Sequence, residues 1–95
     1  MSALWISQVT VTDADEYAKY AKRAGPVMRA FGGEFIVRGG RFVQLEGQGH
    51  PRHVVARFPS VEEAEKCYRS AEYQEALEFA KGVSIRELVI VEEAE

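Results

Sequence analysis

Two arginines separated by two glycines are the clearest sign of chemistry in this sequence. Arg38 and Arg41 flank Gly39 and Gly40, and a glycine pair between strand-like segments is typical of a two-residue hairpin turn. Such a turn sets the arginines opposite each other, where like charges are destabilising unless an anion lies between them. We therefore expect a clamp for a small anion or carboxylate at Arg38, with Glu46 as its resting counter-charge. The structural alternative is that both side chains extend into water or pair with Glu46 or Glu34.

The two histidines offer a second possibility. His50 and His53, together with Glu46, have the ligand types of a two-histidine, one-carboxylate metal site. His50 lies in a glycine-rich loop, however, and we expect neither a metal nor another cofactor. His53 lies in a strand, where it could face a cavity and act as a general base near neutral pH. A histidine that is merely hydrogen-bonded or exposed is the alternative interpretation.

Tyrosines in the helical segments complete the candidate ligand-binding set. If the hydroxyls of Tyr20 and Tyr68 meet over the sheet, the two residues line a pocket. Otherwise they are core aromatics whose hydroxyls reach the surface. Cys67 lies on the apolar stripe of its helix, so we interpret it as inert packing.

The composition excludes several functional classes. The 95 residues are enough for one domain. With 12 basic and 15 acidic residues the net charge is −3, so the sequence lacks the basic field by which proteins bind nucleic acid. No apolar run approaches the roughly 20 residues that span a bilayer. The N-terminal residues lack the pattern of a secretory signal and the single cysteine cannot form an intrachain disulfide, so we expect a cytoplasmic protein.

The first half of the chain predicts a strand, a helix and a hairpin. Residues 4–11 are rich in β-branched and aromatic types, as in strands. Thr12 or Asp13 can cap the following helix, whose apolar stripe recurs at steps of three and four up to Phe31. We expect a kink or break at Gly25-Pro26 and a stop at Gly32-Gly33. Two strands of a hairpin then follow, at 34–38 and 41–46.

The second half repeats this order. Residues 52–58 predict a strand, and Ser60 with Glu63 forms a capping box before a second helical region. The apolar stripe of that region restarts at Tyr73, and residues 83–92 predict the last strand. A shift of 48 positions aligns Thr12 with Ser60, Asp15 with Glu63, Tyr20 with Tyr68 and Phe31 with Phe79.

Two βαβ halves of this kind predict an α+β fold, the ferredoxin-like βαββαβ arrangement with an extra hairpin strand, as one domain over residues 1–95. The helices should cover one face of an antiparallel sheet. The strands do not divide cleanly into apolar and polar faces, so the other face is expected to pack on a second copy of the chain.

Short segments spread over nearly the whole chain carry a resemblance to a known family. They are Trp5-Ile6, Thr12-Asp13, Ala30-Phe31-Gly32-Gly33, Val37-Arg38-Gly39-Gly40, Leu45-Glu46-Gly47, Phe58-Pro59-Ser60, Tyr68, Ser70, Glu72-Tyr73-Gln74 and Leu88-Val89-Ile90-Val91-Glu92. Together they resemble the domain-of-unknown-function 1330 family, within the dimeric α/β-barrel superfamily. The resemblance implies the fold and a homodimer. It implies no reaction, although superfamily relatives include cofactor-free monooxygenases, small isomerases and haem-handling enzymes.

Three functions remain open at this point. The first is a homodimer that binds a small, anionic molecule between helices and sheet, with Tyr20, Arg38, Glu46, His53 and Tyr68 as candidate ligand-binding residues. The second is a cofactor-free enzyme of the monooxygenase or isomerase type, with His53 as the candidate catalytic residue. The third is a structural or interaction module without a ligand. Nucleic acid and membrane are not expected partners.

Overall fold

The computed structural model describes all residues, 1–95, as four strands and three helices. In chain order these are β1 (Ala3–Val11), α1 (Ala14–Ala30), β2 (Glu34–Arg38), β3 (Arg52–Phe58), α2 (Val61–Arg69), α3 (Ala71–Glu78) and β4 (Ser84–Glu92). The strands form one antiparallel sheet in the order β2-β3-β1-β4. Strands β1 and β2, from the first half of the chain, are parallel to each other and lie on either side of β3. Strands β3 and β4, from the second half, are likewise parallel and lie on either side of β1. This is the predicted ferredoxin-like α+β fold.

Polar side chains cap all three helices, two of them at positions where the sequence predicted a cap. Asp13 accepts a hydrogen bond from the backbone N–H of Glu16 at 3.2 Å, and Ser60 accepts one from Glu63 at 3.1 Å. Ser70 caps α3 in the same way, so the second helical region is divided in two. Each cap satisfies a backbone donor that would otherwise lack a partner, and contributes about 1 kcal/mol.

The helix α1 is more continuous than the sequence predicted. It runs through Gly25 and Pro26 without a break, because proline costs a single hydrogen bond and the helix is held by its packing on the sheet. It ends as predicted at Gly32, whose φ of 88° is a conformation that glycine adopts at little cost.

The apolar core lies between the helices and one face of the sheet. Alternate residues of β1 point into it, and Trp5 is its largest member. The Trp5 ring stacks on Phe58 at a centroid distance of 5.6 Å and meets the ring of Tyr73 edge-on at 5.2 Å. This aromatic packing fixes α3 against the sheet.

The extra hairpin strand predicted over 41–46 is wrong. Residues 39–51 form a loop, and Gly39 continues the pairing of β2 with β3 by donating its N–H to the carbonyl of His53 at 2.8 Å. The strand β3 therefore occupies the position beside β2 that the predicted strand would have taken. Arg38 and Arg41 consequently do not face each other across a two-residue turn.

The side chain of His50 fastens the end of this loop to the sheet. Its Nδ1 lies 2.8 Å from Oγ1 of Thr10, and its Nε2 lies 2.5 Å from Oε2 of Glu87. His53 makes a different contact, with the Phe42 ring at a centroid distance of 4.7 Å. The two histidines therefore serve separate contacts, and no group of three side chains is placed to bind a metal ion.

The sheet face turned away from the helices is open. Its exposed aliphatic side chains include Val37, Ile85, Val89 and Val91, and Gln8, His53 and Glu87 lie on the same face. The loop exposes three more apolar side chains, Phe42, Val43 and Leu45. Helices cover only the opposite face. None of the helices is long and apolar enough to cross a membrane.

Candidate functional site

A small cavity lies between α1 and the covered face of the sheet. Its volume is about 40 Å³, and about 10–15 Å³ suffices for one water molecule. The walls are mainly aromatic and aliphatic: Trp5, Tyr17, Tyr20, Ala21, Ala24, Met28, Phe35 and Val54. The polar groups that reach it are the Ser7 hydroxyl and three guanidiniums, from Arg38, Arg52 and Arg86.

Strand pairing explains the positions of two of these arginines. In the register of the sheet, Val9 of β1 pairs with Arg52 of β3 on one side and with Arg86 of β4 on the other. Directly paired residues point to the same face of a sheet. Both arginines therefore extend over the buried side of Val9, from the two strands that flank it.

A β-bulge brings the third arginine to the same face. Phe35 pairs with Ala56 and Val37 with Val55, so one extra residue of β2 lies between these pairs. In a regular strand, residues three apart point to opposite faces. The bulge changes this alternation, and both Phe35 and Arg38 point toward the cavity. The Arg38 guanidinium lies over the Phe35 ring, 4.5 Å from its centroid.

Two tyrosine hydroxyls meet beside Arg86. The Tyr20 and Tyr73 oxygens are 2.6 Å apart, and Nη2 of Arg86 donates to both, at 2.9 Å and 3.2 Å. Burial raises the pKa of both hydroxyls above the ordinary value, and the Arg86 charge only partly opposes this. Both tyrosines therefore remain protonated at neutral pH.

The hydrogen bond between the two buried hydroxyls can run in either direction. When Tyr73 donates to Tyr20, the Tyr20 proton is left for a group bound in the cavity that Tyr20 lines.

The positive charges of the cavity lack counter-charges. None of the salt bridges in the chain involves Arg38, Arg52 or Arg86. The Nε atoms of Arg52 and Arg86 are buried and have no hydrogen-bond partner. Three guanidiniums and a hydroxyl donor thus converge on a site whose lining contains no carboxylate.

Comparison with known proteins identifies the family. Residues 2–94 match the family described as "Domain of unknown function (DUF1330)". The chain belongs to the DUF1330 family. No curated protein matches the sequence.

Solved structures share the fold of this DUF1330 protein at low sequence identity. A protein of unknown function from Rhodopseudomonas palustris is 20% identical with a TM-score of 0.81, over 99% of this chain and 83% of that chain. SnoaB, a cofactor-independent oxygenase from Streptomyces nogalater, is 10% identical with a TM-score of 0.65, over 99% and 94%. A dimeric ferredoxin-like protein of unknown function from Thermobifida fusca is 14% identical with a TM-score of 0.55, over 95% and 89%.

The DUF1330 structure brings together some of the candidate residues but not all of them. Arg38 and Tyr20 line the cavity. His53 is paired with Gln8 on the open face of the sheet, and Glu46 is exposed in the loop without an ion pair to Arg38. Tyr68 packs against Trp5 and borders a separate depression on the surface. The partner of the Tyr20 hydroxyl is Tyr73.

Sequence reasoning missed the two arginines in strands β3 and β4. Arg52 shares the alternation of Val54, Ala56 and Phe58, which is the inward side of β3. Arg86 likewise precedes Leu88 and Ile90 at steps of two. A charged residue in phase with a strand's apolar face is the signal that could have found them.

Proposed function

We propose that this DUF1330 protein is a homodimer that binds a small carboxylate or similar oxyanion in the cavity beneath α1. The observation that carries the proposal is the set of three guanidiniums without a counter-charge, two of which have a buried, unpartnered Nε. Burying a charge without a partner is costly. An anion that enters the cavity supplies the missing acceptors.

The donors suit a planar oxyanion with two acceptor atoms. A guanidinium presents its N–H groups in a fixed fork that matches a carboxylate, and these charge-assisted bonds are among the stronger polar contacts. Tyr20 adds a neutral O–H donor, and Ser7 can add another. The volume of about 40 Å³ corresponds to roughly three waters, which is the size of a carboxylate group.

The lining favours binding over proton abstraction. No histidine, aspartate or glutamate side chain lines the cavity, and burial raises the pKa of the paired Tyr20 and Tyr73 hydroxyls. A general base must reach the proton that it removes. The alternative of a cofactor-free oxygenase or isomerase therefore needs a substrate that enters the cavity already ionised.

The open sheet face supports the homodimer. Its exposed aliphatic side chains form an apolar surface on a chain of only 95 residues, and large apolar patches are typical of interaction sites. The Thermobifida fusca protein with a similar fold is described as dimeric. A second sheet packed on this face would bury the aliphatic side chains of β4.

Isothermal titration calorimetry with acetate, formate and nitrate tests whether the protein binds small oxyanions. We expect saturable binding of one anion per chain, with chloride far weaker because it cannot accept two parallel hydrogen bonds. Arg38→Gln should weaken acetate binding about tenfold, the loss of one charge-assisted hydrogen bond. Arg38 is exposed, so this variant should retain its melting temperature.

A matched control separates the site from the general charge of the protein. Arg69 is paired with Glu65 on the exposed surface of α2, so Arg69→Gln removes the same charge elsewhere and should leave the affinity unchanged. Equal losses in both variants, or no binding by the wild-type protein, would contradict the proposed function.

A further inference from the structure

We propose that the ligand is a carboxylate with an apolar chain, whose head occupies the cavity and whose chain lies in a groove between α1 and β1. This inference rests on the proposed function and names the class of ligand. The cavity alone fits little more than the head group, so a larger ligand must extend out of it.

The groove adjoins the cavity. Tyr17, Ala21 and Arg52 line both, and the groove extends along Val11, Ala18 and Pro51. Its volume is about 440 Å³, about ten times that of the cavity. This is within the range of small-molecule sites, about 300–1,000 Å³.

The two compartments differ in polarity. The cavity is lined by three arginines and by three hydroxyl-bearing residues, Ser7, Tyr17 and Tyr20. The groove has Arg52 as its single charged residue, at the junction. Most of the remaining groove lining is aliphatic. A charged head in the cavity and an apolar chain in the groove match this division.

Exposed small residues keep the groove open. Ala14 and Ala18 are exposed on α1, four residues apart on one side of the helix, and both line the groove. Longer side chains at these positions would fill the space along the helix. A hydrocarbon chain in this space would remove apolar wall from water, which favours binding in proportion to the area buried.

Titration with a series of linear carboxylates tests the inference. Acetate, butyrate, hexanoate and octanoate present the same head and differ only in the chain. We expect the affinity to rise about fourfold per methylene buried, and to stop rising once the groove is filled. Ala18→Gln should reduce the affinity for hexanoate to that for acetate while leaving acetate binding unchanged.

A control and the contradicting outcomes complete the experiment. Ala30 is exposed at the other end of α1 and does not line the groove. Ala30→Gln should therefore leave the dependence of the affinity on chain length unchanged. If acetate binds but longer chains bind no better, or if Ala18→Gln leaves the dependence on chain length intact, this inference is wrong and the proposed function stands. If no carboxylate binds, the proposed function itself fails.

Discussion

At the level of single residues, the cluster of Tyr20, Tyr73 and Arg86 combines two roles. The Arg86 guanidinium donates to both hydroxyls and also lies over the Tyr20 ring, 4.6 Å from its centroid. These contacts satisfy one of its terminal nitrogens, whereas its buried Nε has no hydrogen-bond partner. The tyrosines therefore hold the arginine in place without neutralising it.

The raised pKa values of the two tyrosines predict a loss of stability in alkali. The ordinary tyrosine pKa is 10.0, and burial holds the pKa of Tyr20 and Tyr73 above it in the folded protein. Above about pH 10 the unfolded chain therefore binds fewer protons than the folded one. Below about pH 10 these groups should not affect the unfolding free energy. Above about pH 10 the unfolding free energy should fall by up to about 1.4 kcal/mol per pH unit for each group.

Denaturant unfolding at several pH values between about 8 and 11 measures this slope. A double variant with Tyr20→Phe and Tyr73→Phe should be less stable at pH 8 but should show a shallower decline above pH 10. An ultraviolet titration gives a second readout, since the phenolate signal that Tyr73→Phe removes should be one that the folded wild-type protein gains only above pH 10. An equal slope in both proteins would contradict the assigned pKa shifts.

At the level of elements, a glycine within α1 is placed against the cavity. Gly25 is buried in the helix and lines the cavity, and a methyl group added there would come within 3.5 Å of Nη2 of Arg38. Glycine in a helix interior costs up to about 1 kcal/mol relative to alanine. The space that it leaves beside Arg38 is consistent with a binding site at this position.

Gly25→Ala should therefore change stability and binding in opposite directions. We expect the unfolding free energy to rise by about 0.5–1 kcal/mol, because a 3.5 Å contact is ordinary packing. Acetate affinity should fall severalfold, because the methyl group reduces the cavity. Thermal denaturation and calorimetry of the same samples test both effects. Unchanged acetate affinity would show that acetate does not bind beside Gly25.

The elements also show what the sequence could and could not predict. Periodicity and caps predicted the two βαβ halves, because an apolar stripe and a Ser60 or Asp13 cap are local properties. The strand at 41–46 was wrong because pairing is not local, and β3 pairs with β2 instead. The sequence did not predict the bulge in β2 either, because only the register with β3 shows on which face of the sheet Arg38 lies.

The dependence on non-local pairing and packing also explains why only some residues of the site were predicted. Arg38 and Tyr20 were predicted from their types and lie in the cavity. His53 was chosen over its neighbour Arg52, although alternation along β3 turns Arg52 to the covered face and His53 to the open one. The hydroxyl partner of Tyr20 depends on how α3 packs against α1, which no pattern within either helix specifies.

At the level of the whole molecule, the open face of the sheet predicts the assembly. A charged residue on this face should disrupt a sheet-to-sheet dimer, because its desolvation is costly. We expect Val89→Lys to halve the molar mass that light scattering measures at micromolar concentration. Glu75→Lys adds a lysine on the exposed surface of α3 and should leave the mass unchanged. A wild-type protein that remains monomeric over this range would contradict the dimer.

The most direct test of the anion site is nuclear magnetic resonance of the arginine Nε–H groups. In Arg57 and Arg69 this group already donates to a glutamate, whereas in Arg52 and Arg86 it is buried without a partner. We predict that added acetate shifts the Nε–H signals of Arg52 and Arg86 along one saturable curve and slows their exchange with water, while those of Arg57 and Arg69 stay in place. Signals that all move together in proportion to ionic strength, or an unmoved Arg86 signal at saturating acetate, would contradict an oxyanion site in this cavity.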